Sequence, residues 1–167
     1  TVDGMGEIFF SPQNSGAGSG TNVLFLGAGA GSEPVALGPE LTLRAGTGQI
    51  RAVASDPATI EGQIVVEADG ALDILRSLTL GDDASFVFRL DDPDTFGVAT
   101  ANSTLALDGD LILDFAAEEG FAAGDRFELV TGGTLTGEFD AVSAPDVAAE
   151  LQAIIDLQDD LLAIDLV

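Results

Sequence analysis

The sequence predicts an all-β protein. The favoured architecture is a parallel β-solenoid (β-helix) with a C-terminal hairpin cap, and an antiparallel β-sandwich is the alternative. Short segments with period-two alternation of apolar residues occur along most of the chain, which is typical of strands with one buried face. Turn signals made of Gly, Asp and Pro separate these segments, without helical patterns between them. Strand–turn–strand units of about twenty residues recur in loosely similar form, and this length favours stacked β-coils.

The segment SFVFRL illustrates the alternation. Phe86, Phe88 and Leu90 are predicted to point to one face of a strand, and Val87 and Arg89 to the other. The five arginines are spread over different predicted strands, and we expect each to pair with acidic neighbours on an outer face.

The chain divides into three predicted parts. Residues 1–21 contain an apolar strand, GEIFF, and a flexible Gly/Ser linker, and residues 22–145 form the solenoid body. Residues 146–167 form a cap made of a short helical turn, with Asp146 as its N-cap, and a β-hairpin that turns at Asp159-Asp160. The end of the chain also fits a hairpin without the helical turn.

Composition excludes several kinds of partner. The 167 residues suffice for one domain with a sizeable core, and 29 acidic residues against five arginines give a net charge of −24. Because phosphate binding needs clustered cations, we expect no nucleic-acid partner. No apolar run is long enough for membrane insertion. Copies of the chain repel one another, so self-assembly requires salt, divalent cations or strong backbone and apolar contacts.

The residue types that are missing argue against catalysis. The chain contains no His, Cys, Lys, Tyr or Trp, which removes most general bases, the thiol nucleophile and imidazole metal ligands. Asp114, Glu118 and Glu119 could supply the two carboxylates of a glycosidase, but we interpret them as solubilising surface charge. We therefore expect no enzyme activity and no cofactor, with calcium as the one open exception.

A glycine-rich stretch, NVLFLGAGAGSEP, resembles the start of a dinucleotide-binding loop. Gly27 and Gly29 fit the pattern, but Ser32 occupies the position of the third glycine. The following VALGPELTL leaves no room for the helix whose N-terminus would bind the pyrophosphate. A tight turn between two strands is the preferred interpretation.

The location is predicted to be extracellular or at a bacterial cell surface. The chain begins at Thr1 rather than Met, which leads us to expect a processed, exported product. The absence of Cys means that neither disulfides nor thiol chemistry contribute.

The C-terminal part resembles the end of bacterial autotransporter passenger regions and related exported β-helix repeat proteins. Such segments follow the pattern G-D-x-F-x-L-[LIV]-x-G and then G-x-F-D-x-V. The matching residues here are Gly124, Asp125, Phe127, Leu129, Val130, Gly132, Gly137, Phe139, Asp140 and Val142. The resemblance covers between two-fifths and half of the chain and implies an extracellular, non-enzymatic β-solenoid. The membrane barrel that follows the passenger in autotransporters has no counterpart in this sequence.

Two kinds of site are predicted from the residues. The turn DDPD places Asp91, Asp92 and Asp94 close together, and carboxylate-rich turns of this kind can hold calcium. The apolar terminal strands are candidates for self-association, since exposed strand edges pair with other chains. The residues concerned are Ile8, Phe9, Phe10, Leu161, Leu162, Ile164 and Leu166.

Two functions follow as hypotheses. The first is a secreted, non-enzymatic structural protein that polymerises head to tail or by strand donation into an extracellular filament, matrix or surface assembly. The second is a passenger-type adhesin, a module that binds glycans or divalent cations. An enzyme that acts on glycans through two carboxylates is a distant third.

Overall fold

The structure, a computed structural model, describes residues 5–10, 22–26, 35–52, 58–116, 120–145 and 151–167. Several predicted features lie outside these ranges. They are the linker at 11–21, the glycine-rich loop at 27–34, Glu118 with Glu119, and the helical turn at 146–150.

The described residues form seventeen β-strands, which confirms the all-β prediction. The strands are β1 (Gly6–Phe10), β2 (Val23–Leu26), β3 (Ala36–Leu37), β4 (Leu41–Ala52), β5 (Ala58–Ile60), β6 (Gln63–Ile74), β7 (Leu78–Leu80), β8 (Ser85–Asp92), β9 (Thr95–Phe96), β10 (Val98–Ala101), β11 (Thr104–Leu107), β12 (Asp110–Phe115), β13 (Arg126–Thr131), β14 (Thr134–Gly137), β15 (Ala141–Ser143), β16 (Ala153–Leu157) and β17 (Leu161–Leu166). No helix in these ranges is long and apolar enough to cross a membrane.

Twelve of the strands form one mixed sheet that curls into a half-barrel, and the other five form a separate parallel sheet. The large sheet contains β1 and β2 beside β4, and then β6, β8, β12 and β15 in order. Its other branch runs from β6 through β10, β13 and β17 to β16. The small sheet has the order β14-β11-β7-β5-β3.

The prediction of a simple parallel β-solenoid is therefore wrong, and so is the antiparallel sandwich. β17 runs antiparallel to β13, β16 antiparallel to β17, and β9 antiparallel to β8, all within a sheet whose other pairs are parallel. Period-two alternation identifies a strand and its buried face, but the direction of its partner depends on segments far away in the sequence. For this reason the sequence pattern did not distinguish a mixed sheet from a regular parallel stack.

The core consists of apolar side chains that stack in register from strand to strand. One column crosses the large sheet from β1 to β15, and it is called here the edge-to-edge column. Its members are Ile8, Leu43, Ile64, Phe86, Leu111 and Val142. The four central members are at most 2% exposed. A single cluster of buried side chains includes residues of both sheets, so the two sheets enclose one core.

The predicted alternation of β8 is borne out on the inner face and modified on the outer one. Phe86, Phe88 and Leu90 are fully buried, while Arg89 is partly exposed. Val87 belongs to the outer face but is only 5% exposed. Its in-register neighbours Val65 and Ile112 form an apolar strip with it on the outside of the sheet.

Four phenylalanines fill the core near the C-terminal strands. Phe115, Phe121 and Phe127 pack edge to face, with ring centroids 4.8–6.3 Å apart, and Phe96 meets Phe127 at 5.3 Å. This geometry is the favourable one for aromatic pairs and adds to their burial energy.

Two glycines have clear structural roles. Gly109 adopts φ +64° in the turn between β11 and β12, and an added Cβ would strike the Ala84 carbonyl oxygen. Gly48 in β4 leaves space for the ring of Phe10, which occupies the volume where a Cβ would be. The absent side chain of Gly48 therefore lets β1 insert its last residue into the core.

We expect Gly48→Ala to destabilise the protein by about 1–3 kcal/mol, because the new methyl group displaces the Phe10 ring. Denaturant unfolding measures the change. Gly6→Ala is the control, since its Cβ would meet only Leu41 Cδ2 at 3.6 Å, an ordinary contact. The double variant G48A/F10A should lose little more than F10A alone. Full additivity of the two effects would contradict this account of Gly48.

Candidate functional site

A row of alternating charges crosses five strands on the outer face of the large sheet. The row contains Glu7 on β1, Arg44 on β4, Glu67 on β6, Arg89 on β8 and Asp114 on β12. Four members lie between two buried residues of their own strands, which places their side chains on the outer face: Arg44, Glu67, Arg89 and Asp114. We call this set the ion-pair row.

Glu67 is the centre of the ion-pair row. Its Oε1 accepts a hydrogen bond from Arg44 Nη1 at 2.6 Å, and its Oε2 accepts one from Arg89 Nη1 at 3.0 Å. Arg89 Nε also donates to Asp114 Oδ2 at 2.9 Å, while Arg44 Nε lies 3.7 Å from Glu7 Oε1. One carboxylate thus joins two guanidinium groups, and each guanidinium bridges two strands.

The electrostatics of Glu67 favour its ionised form. Partial burial raises the pKa of its carboxyl group, but the hydrogen bonds and charges of Arg44 and Arg89 outweigh burial and hold the pKa below its ordinary value. Two of the five arginines are therefore committed to holding adjacent strands together.

A second ion cluster joins the antiparallel strands at the C-terminal end. Arg126 on β13 bonds Asp165 on β17 at 2.8 Å and Asp156 on β16 at 2.6 Å. The hydrogen bond from Arg126, with a second one from Gln158, lowers the pKa of Asp156. The cluster spans β13, β17 and β16; the hairpin of β16 and β17 was predicted, whereas the antiparallel pairing of β17 with β13 was not. Three of the five arginines thus pair with carboxylates, whereas Arg51 and Arg76, for which pairing was also expected, form no ion pair with the described residues.

Of the predicted calcium ligands, Asp91 and Asp92 end β8, and Asp94 lies in the turn that leads to β9. The backbone N–H of Asp94 donates to Asp92 Oδ1 at 2.9 Å, so this carboxylate closes the turn, and Asp91 is exposed beside it. Among the described residues no three acidic side chains converge in a way that could hold a metal ion. Calcium binding at Asp91, Asp92 and Asp94 stays a prediction.

The residues predicted for self-association have different environments. Phe9 is 52% exposed and Ile8 is partly buried, whereas Phe10 is 6% exposed. At the C-terminal end, Leu162, Ile164 and Leu166 are fully buried and Leu161 is partly buried. These C-terminal side chains belong mainly to the core of the chain itself, so other residues form the surface there.

The exposed apolar surface is concentrated at the ends of the large sheet. Seven large apolar side chains are exposed among the described residues, and each lies on β1, β2, β15 or β16 or next to β1 or β17. They are Met5, Phe9, Phe25, Val142, Ile154, Leu157 and Val167. β1, β2, β15 and β16 are the end strands of the large sheet in the described part of the chain.

Two of these side chains lie beside arginines at the N-terminal edge. Phe9 is in register with Arg44, and Phe25 with Arg51. Arg51 is exposed, and no carboxylate of the described residues forms an ion pair with it. Sequence reasoning identified Phe9 but missed Phe25, since alternation does not reveal which strand lies at an edge.

The opposite edge is acidic. Glu138 and Asp140 flank β15, and Asp159 and Asp160 form the turn of the β16–β17 hairpin; all four are exposed. The N-terminal edge carries Glu7 on β1 with Arg44 and Arg51 on the neighbouring β4, so acidic residues are not unmatched there, and both edges carry exposed apolar side chains.

Comparison with known proteins adds no family assignment. No protein-family model matches this sequence, and a search of curated proteins finds no match to it.

We expect Glu67→Gln to destabilise the protein by about 1 kcal/mol at neutral pH, through loss of its two ion pairs. Because the folded pKa of Glu67 is depressed, its contribution is complete above its unfolded pKa of about 4.3 and disappears as the pH falls through the folded value. The difference between wild type and E67Q should therefore vanish in acid.

Denaturant unfolding from pH 7 to pH 3 measures this difference. Asp69→Asn is the matched control, because Asp69 is exposed on the same strand and forms no ion pair with described residues. Comparison with D69N also removes the general effect of discharging an acidic protein. An E67Q effect that persists unchanged at pH 3 would contradict the role assigned to Glu67.

Proposed function

We propose that this chain is a non-enzymatic structural protein that associates with copies of itself into an extracellular assembly. The observation that carries the proposal is the location of every exposed large apolar side chain of the described residues, on or beside the end strands of the large sheet. Soluble monomeric proteins rarely expose apolar side chains on unpaired edge strands, because such strands pair with other chains.

Burial of exposed phenylalanine side chains makes a significant favourable contribution to the free energy of association. Complete burial of a phenylalanine side chain contributes about 2 kcal/mol, and Phe9 and Phe25 are 52% and 59% exposed, so each can gain about 1 kcal/mol at the N-terminal edge. Backbone hydrogen bonds between edge strands add to this contribution. The opposing term is the net charge of −24, whose repulsion weakens as salt screens it.

The placement of the charges also supports a structural role. Among the described residues no polar or charged side chain is buried, and the ion-pair row connects strands instead of lining a closed pocket. The extracellular location is supported by the resemblance of the C-terminal part to exported passenger segments.

We expect the wild-type protein to form oligomers whose mass rises with protein concentration and with salt. Phe25→Asp should weaken the association at least about tenfold, because it removes apolar contact and adds charge at the edge. Light scattering coupled to size-exclusion chromatography measures the mass, and electron microscopy shows the shape of the particles. Parallel samples with calcium and with a chelator test whether the acidic turns contribute.

Thr100→Asp is the control for added charge, since Thr100 is exposed on the central strand β10. Circular dichroism verifies that both variants fold. A wild type that stays monomeric at high concentration and high salt, or an F25D variant that assembles as well as wild type, would contradict the proposal.

A groove on the outer face favours a second candidate function, glycan binding. The groove has a volume of about 560 Å³, and its lining includes Phe9, Arg44, Asp69, Arg89 and Asp91. An exposed ring beside guanidinium and carboxylate groups offers a stacking surface together with hydrogen-bond donors and acceptors, as sugar ligands require.

The glycan hypothesis predicts binding on a glycan array that Phe9→Ala abolishes. Phe25→Ala should bind normally, since Phe25 does not line this groove. An array without signal for the wild-type protein would remove this candidate and leave the structural role untouched.

A further inference from the structure

We propose that the contact between copies is heterologous, with β1 of one copy pairing in parallel with β15 of the next. This inference rests on the proposed function, since it specifies which edges meet when copies associate. It follows from the order and direction of the strands, from the edge-to-edge column and from the charges of the two edges.

The strand order places the N-terminal strands β1 and β2 at ends of the large sheet and the C-terminal strands β15 and β16 at its other ends. In the large sheet, β1, β4, β6, β8, β12 and β15 follow one another as parallel neighbours. In the small sheet, β3, β5, β7, β11 and β14 do the same. A copy added beyond β15 in the same orientation therefore extends the large sheet at β15 with the kind of pairing that already exists within the chain.

The edge-to-edge column is open at both ends. It starts at Ile8, which is partly buried, and ends at Val142, which belongs to the buried face by register and is nevertheless 39% exposed. Pairing of β15 with β1 of the next copy in the same register places Ile8 beside Val142. The apolar column then continues from one copy to the next, and both ends become buried.

The side chains on the outer face of the sheet are also compatible with the register that joins Ile8 to Val142. Phe9, Arg44, Val65, Val87, Ile112 and Ser143 are in-register neighbours on successive strands. The register that joins Ile8 to Val142 joins Phe9 to Ser143, whose small side chain leaves room for the ring.

The charges favour a contact between a C-terminal edge and an N-terminal edge over a contact between two C-terminal edges. The C-terminal edge carries exposed Glu138, Asp140, Asp159 and Asp160, so two such edges repel each other. At the N-terminal edge, β1 carries the exposed Glu7, which lies 3.7 Å from Arg44, and the exposed Arg51 lies one strand further in, on β4. A head-to-tail contact therefore replaces the repulsion between two strongly acidic edges by a weaker one. Because such a contact does not close on itself, it generates an open filament.

Engineered cysteines test the register directly, since the natural chain has no cysteine that could compete. Phe9→Cys and Ser143→Cys place one thiol at each edge, and neighbouring strands hold Cα atoms at distances that a disulfide can bridge. Glu7→Cys with Ala141→Cys is a second pair in the same register, which leaves Phe9 intact.

Under oxidising conditions, we expect an equimolar mixture of F9C and S143C to give a disulfide-linked heterodimer. The double variant F9C/S143C should give a ladder of covalent oligomers on a non-reducing gel. Each single variant alone should give at least about tenfold less covalent dimer than the mixture. Thr100→Cys, whose cysteine is exposed on a central strand, measures how much disulfide forms by random collision between copies.

Light scattering of the reduced proteins is measured alongside. Covalent homodimers of F9C or of S143C without the heterodimer would overturn the heterologous contact, as would reduced proteins that assemble while neither cysteine pair cross-links. Reduced proteins that remain monomeric would overturn the proposed self-association itself, and the heterologous contact with it.

Discussion

The fold depends on the in-register burial of apolar side chains across parallel strands. The edge-to-edge column and its neighbours supply the core of the large sheet, and leucine and isoleucine side chains of the small sheet complete the same cluster. The backbone pairs bring equivalent positions of successive strands together, so each buried side chain covers the one on the next strand. Positions such as Gly48 matter for this reason, because a side chain there would exclude Phe10 from the core.

This arrangement has a consequence at the edges. A column of stacked side chains within the sheet is buried from both sides, but its first and last members have a neighbour on one side only. Val142 is accessible although its register assigns it to the buried face, whereas Phe9 and Phe25 on the first strands add exposed apolar side chains on the outer face. The interaction that stabilises the interior thus leaves apolar surface at the ends, which is the physical basis for the proposed association.

The acidic surface limits how this association can occur. Only five cations balance 29 carboxylates, and the structure assigns three of the arginines to ion pairs between strands. Glu67 and Arg89 show that charge serves here to connect neighbouring strands. The repulsion between copies remains, and it is strongest for a contact between two C-terminal edges with their exposed Glu138, Asp140, Asp159 and Asp160.

The sequence by itself determined the all-β class, the buried face of strands such as β8 and the acidic composition, whereas its expectation that every arginine pairs with a carboxylate holds for three of the five. These properties depend on local alternation and on composition, which are visible without a structure. Only the tertiary structure decided that the large sheet is mixed, that β17 returns antiparallel to β13, and which apolar strands are interior. Leu162 and Ile164 belong to the core, whereas Phe25 and Ile154, which alternate just as regularly, are exposed. The physical reason is that strand direction and edge position depend on pairing between distant segments, and a period of two residues contains no information about the partner.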